Sequence, residues 1–173
     1  MAFTFIPETG AGVPGANSYC DLQVAIDYHD AQANPCAAWT GAAELQRQKA
    51  LVNATTLIGA YFSFPGKITH EAQTLYWPRQ GVRRSGQWYY GETEIPLILQ
   101  HATAHLAGEI LTADPLTDDG REGIQSFGLG RGALEVTFTP GESKTIAKIV
   151  AAMLRPISTW MESTSRYVPL RRV

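Results

Sequence analysis

Apolar side chains recur at helical steps in four stretches of this chain and alternate in a fifth. From about Asp21 to Ala33, Leu22, Ala25, Ile26 and His29 fall on one face, with Asp21 placed to cap the helix. From about Thr40 to Tyr61, Leu51, Ala54, Ile58 and Tyr61 recur at steps of three and four, until "SFPGK" ends the pattern. A third helix is predicted with Thr93 as cap and Glu94, Ile95 and Pro96 in its first turn, where proline is tolerated and an acid favoured. Its apolar face is Ile95, Leu99, Ala102, Leu106 and Ile110. The run "IQSFGLGRGALEVTF", near 124–138, reads as two short strands around a glycine-rich turn, with Leu134, Val136 and Phe138 alternating. Ser143 then caps a fourth helix carrying Ile146, Ile149, Val150, Met153 and Leu154, which Pro156 stops.

The remaining segments are polar or punctuated. "PETGAGVPGANSY" cannot sustain a helix or a central strand, so residues 1–20 are predicted as an extended N-terminal arm. Residues 157–173 end basic and are predicted as a C-terminal arm. Between them, 21–156 forms the folded part. The expected fold class is mainly α, a small helical bundle of about four helices with a β-hairpin and an arm at each end. No internal repeat or low-complexity segment interrupts it.

Composition narrows the function. The 173 residues are 45% hydrophobic and 17% charged, ordinary for a globular chain that buries a real core. A net charge of −2 argues against tight, sequence-independent binding of nucleic acid, which draws its affinity from a basic surplus. The charge is unevenly spread: −3 over residues 1–65, +3 over 66–90, −6 over 91–123 and +4 over 124–173. A dipolar chain of this kind suits packing against copies of itself or against patterned partners. Two cysteines, Cys20 and Cys36, make no disulfide framework, and a reduced cytoplasmic setting without a signal peptide or membrane span is the expectation.

Catalytic and metal motifs are incomplete. "HATAHLAGE" sets His101, His105 and Glu109 at i, i+4 and i+8, a spacing that can hold a metal, but Ala102 stands where the metalloprotease motif needs glutamate. "GLGRG" lacks the following Lys-Ser/Thr of a phosphate loop, and "DPLTDDG" has Leu116 where a calcium loop needs an oxygen donor. Neither cysteine has an assignable histidine or acid partner. No enzyme, metal or cofactor is expected.

The basic and aromatic residues say more. Thr74–Pro96 holds five of the seventeen aromatic side chains and three arginines. Lys67, Arg79, Arg83, Arg84 and Arg131 are candidates for facing DNA or a neighbouring subunit. Arg166, Tyr167, Leu170, Arg171 and Arg172 are candidates for docking a partner through the C-terminal arm. Trp77, Trp88, Tyr89 and Tyr90 are either stacking platforms for single-stranded DNA or anchors that pin the loop to the helices. Taken singly, each cation is as well explained as a solvated loop charge.

The ordered set "GVPGANSYCDLQVAIDYH", "LVNATTLIGAYF", "LYWPRQGV" and "EIPLILQHATAHLA" resembles the small head-to-tail adaptor (connector, or neck) proteins of tailed bacteriophages, many of which carry the label DnaT-like single-stranded-DNA-binding protein. The likeness runs from about Gly12 to Ala107. It implies Tyr19, Trp77, Pro78, Ile95 and Pro96 as structural anchors. It also implies a virion protein, assembled in the host bacterial cytoplasm as a ring, expected as a dodecamer. Its implied partners are itself, a portal protein, a tail or head-closure protein, and double-stranded DNA passing through the lumen without sequence specificity. A single-stranded-DNA-binding accessory module is the alternative.

Overall fold

The computed structural model describes residues 3–112, 124–130, 133–138 and 148–160. The fold is mainly α, with five helices among the described residues. The first, α1 (Leu22–Asp30), begins as expected, because the Asp21 carboxylate accepts the Gln23 N–H at 2.8 Å. It stops short of Ala33, where the Gln32 N–H turns back to the His29 carbonyl.

The single helix expected from Thr40 is two, α2 (Ala37–Gly41) and α3 (Glu44–Tyr61). Ala42 and Ala43 between them are extended. Arg47 holds the corner, donating from Nε to the Trp39 carbonyl and from Nη2 to that of Thr40. Gln46 accepts the Ala43 N–H, and the break lets Trp39 turn into the core, where it is 1% exposed. Periodicity alone could not register a corner made by one arginine. Along α3, Leu51, Ala54 and Ile58 are buried as predicted, while Tyr61 is exposed.

The next helix, α4 (Leu97–Thr112), starts four residues after Thr93. Pro96 keeps the preceding Ile95 out of helical geometry. The Pro96 carbonyl accepts the Gln100 N–H, and Glu94 closes a separate turn with Gly91. The last described helix is α5 (Lys148–Leu154); Ser143 and Ile146 lie outside the described residues. On it Val150 and Leu154 are buried, but Ile149 is exposed rather than inward.

The strands are short: β1 (Phe62–Ser63), β2 (Lys67–Ile68), β3 (Arg79–Gln80), β4 (Arg83–Ser85), β5 (Trp88–Tyr89), β6 (Ile124–Gly130), β7 (Ala133–Phe138) and β8 (Thr159–Trp160). They form four antiparallel pairs, β1 with β8, β2 with β3, β4 with β5 and β6 with β7. The β6–β7 pair is the hairpin the alternation predicted, in register from Ser126 opposite Thr137 to Gly130 opposite Ala133, with a register shift between Ser126 and Ile124, which stands opposite Phe138.

The core is built around α4, which packs against α1, α2, α3 and α5. Leu99, Ala102 and Leu106 are buried as the stripe required, and so are Thr103, Ala104, Ala107 and Gly108. Small residues here admit close neighbours: a Cβ on Gly108 would stand 2.7 Å from Cε1 of His29. The His29 ring stacks on Trp39 at 4.4 Å and donates from Nε2 to the Ala104 carbonyl at 3.0 Å.

Where they are described, both ends differ from the expected arms, and 161–173 lies outside the described residues. Residues 3–20 form a compact loop instead of an extended arm. The buried Glu8 carboxylate accepts the N–H groups of Gly10, Gly12 and Val13 at 2.9–3.0 Å, an anion held in a nest of backbone donors. Gly10 and Gly12 have φ of 99° and 66°, and a Cβ on either would strike Thr93 or the His70 ring. At the other end, Ile157 is buried and β8 pairs with β1, so 157–160 belongs to the folded body.

Replacing Glu8 with alanine should cost about 3 kcal/mol in urea unfolding, because three backbone donors lose a charged acceptor. Glutamine, which keeps one of the two oxygens, should cost less. Burial holds the His29 imidazole below its ordinary pKa. The folded state therefore binds fewer protons than the unfolded one, and stability should be full above about pH 6.5 and fall as pH drops below it. Thermal melts across that window should show the loss, and His29→Gln should flatten it.

Candidate functional site

The loop between α3 and α4 holds most of the predicted site residues, and its polar side chains decide its shape. The Gln73 carboxamide ties Thr69 and His70, through their N–H groups, to the carbonyls of Leu75 and Pro78. Trp77 is fully buried, precedes a cis proline, and meets Phe64 and Tyr90 edge to face with centroids 6.0 and 5.8 Å apart. Pro78, Ile95 and Pro96 are buried as well. So is Tyr19, whose phenol oxygen accepts the Tyr76 N–H and whose pKa burial pushes far above the ordinary value. Trp77 is thus enclosed by protein on all sides and presents no face to a base.

The cations divide by what they touch. Arg79 donates from Nε to the Pro65 carbonyl, from Nη1 to that of Tyr76 and from Nη2 to that of Gly66, at 2.7–3.1 Å. Burial lowers its pKa, and the whole fork is spent inside the loop. Arg84 is exposed, lies 3.7 Å from Glu94 and sits over the Tyr90 ring at 5.7 Å. Arg83 on β4 and Lys67 on β2 are exposed, with no ion pair among the described residues. Arg131, Arg166, Tyr167, Leu170, Arg171 and Arg172 lie outside the described residues.

Beyond the buried frame projects the β4–β5 hairpin. Val82 is buried and its carbonyl accepts the Tyr90 N–H, which fixes the base. One step outward, Arg83 stands opposite Tyr89, and Ser85 opposite Trp88. Trp88 is 77% exposed and Tyr89 56%, and Trp88 leads every large hydrophobic side chain described. The structure therefore brings together Arg83, Trp88 and Tyr89 at one tip, and separates them from Arg79 and Trp77.

On the helical side, Tyr28, His105 and Glu109 form a chain. The Tyr28 hydroxyl is 3.1 Å from Nδ1 of His105, whose Nε2 is 3.5 Å from Glu109. Burial, and then Glu109, raises the Tyr28 pKa. His101 faces Tyr28 with ring centroids 4.9 Å apart, and the described residues contain no group of three His, Cys, Asp or Glu that could hold a metal. No described helix is long and apolar enough to cross a membrane.

A family model described as "Putative DnaT-like ssDNA binding protein" matches residues 3–173. The chain belongs to that family. No curated protein and no solved structure matches it. Within this DnaT-like chain, sequence reasoning missed Glu8, Trp39 and Arg47. Only Glu8 left a trace, an acid just ahead of glycines that supply free N–H groups.

The two kinds of arginine should separate in unfolding experiments. Arg79→Lys cannot reproduce a fork onto three carbonyls and should cost about 1–3 kcal/mol. Arg83→Ala should change stability by no more than about 0.5 kcal/mol.

Proposed function

We propose that the protein is a structural assembly subunit: a virion neck component that forms a homo-oligomeric ring between a portal and a tail, extends the DNA channel and helps to close the filled head. The observation that carries this reading is the hairpin tip. An exposed tryptophan and tyrosine beside an arginine are the composition of a protein–protein hot spot. The resemblance of the ordered sequence blocks to phage adaptors supplies the setting. The net charge of −2 suits a conduit, since a lumen that gripped phosphates would slow the passage of DNA.

A second reading, binding of single-stranded DNA, is favoured by the same exposed pair and by the family's description. It is weakened by the fate of its other residues. Trp77 is enclosed, Tyr90 is packed against it, and Arg79 is committed to backbone carbonyls.

Mixing the full chain with its cognate portal should give rings in negative-stain images. A protein that stays monomeric with the portal at high concentration overturns the assembly reading. Fluorescence anisotropy with an oligonucleotide, across a salt series, should show no micromolar binding; tight binding with a steep salt slope would establish the second reading instead.

A further inference from the structure

Among the described residues, the seam between α1 and α4 is open on both sides of Tyr28 and Gln32. One cavity of about 380 Å³ includes Cys36, His105 and Glu109 in its lining, and another of about 400 Å³ includes Val24, Asp27, Leu97 and His101. Tyr28 and Gln32 line both. Among the described residues, Asp27 and Glu109 are the carboxylates of this surface, and no lysine or arginine lines either cavity. The neighbour of Glu109 is His105, which opposes its charge only when protonated. At the rim, Leu97, the first residue of α4, is 58% exposed. The surface is thus largely apolar with an electronegative character, which repels phosphate and invites a cation attached to an apolar body.

The β4–β5 hairpin has the complementary character, with Trp88 and Tyr89 exposed and Arg83 lacking an ion pair among the described residues. No hairpin residue lines either cavity, so the hairpin of the same chain leaves the seam open. We infer that the seam receives the hairpin of a second copy, with Trp88 between Tyr28 and Leu97 and Arg83 against Asp27. The inference rests on the self-assembly reading above and specifies its contact. Because the donating and receiving surfaces differ, each copy keeps one of each free. Such a heterologous contact propagates until it closes into a ring or runs on as a filament.

Two full-length variants test it by sedimentation velocity or mass photometry, with circular dichroism confirming the fold. Trp88→Ala with Arg83→Glu disables the hairpin; Asp27→Lys with Leu97→Ala disables the seam. Each alone should self-associate at least about thirtyfold more weakly than the natural chain. An equimolar mixture should form one-to-one dimers and nothing larger, since one intact hairpin then meets one intact seam. Assembly of either variant as in the natural chain, or a mixture without dimers, overturns this contact while leaving self-assembly standing. A natural chain that remains monomeric even with the portal removes both.

Discussion

The close approach of helices around α4 is the constraint on which the rest of the structure depends. Ala104, Ala107 and Gly108 carry so little side chain that His29 and Cys36 can lie against the helix. The His29 imidazole fills the space between α4 and Trp39, donating to a carbonyl on one side and stacking on the other. A larger residue at position 108 would meet the ring at 2.7 Å and push α1 and α2 outward together. The seam beside Tyr28 exists only at the spacing those small residues set.

The elements that were legible in the sequence are those whose signal is local. Asp21 caps its helix, the apolar steps of α3 and α4 point inward, and the alternation of 124–138 is a hairpin. The misreadings came from single side chains acting at a distance. Arg47 makes a corner inside what looked like one helix, and Glu8 gathers three N–H groups into a loop where composition suggested an arm. Neither act has a period to detect. The small residues of α4 hid its centrality, because alanine and glycine barely register in a hydrophobic stripe although they decide how many neighbours a helix can have.

The same logic governs the site. Sequence could list the arginines of 79–84 and the aromatics of 76–90 but could not sort them, since an arginine bonded to carbonyls and an arginine in water read identically. Structure sorts them by partner. Arg79 and Trp77 maintain the frame, Arg84 is half engaged, and Arg83, Trp88 and Tyr89 stand free at the tip. An interaction surface of this kind is defined by what the frame leaves over.

The pairing of β1 with β8 bears on how the chain matures. It joins Ser63 to Thr159 across 96 residues, and Leu154 and Ile157 beside it complete the core. A chain synthesised from its N-terminus can dock α1 to α4 early, but this pairing must wait until Thr159 and Trp160 have left the ribosome. Closing so long a segment is entropically slow. The hairpin is therefore on display while the body is still open at its other end, and subunits that met then would do so before their cores were sealed.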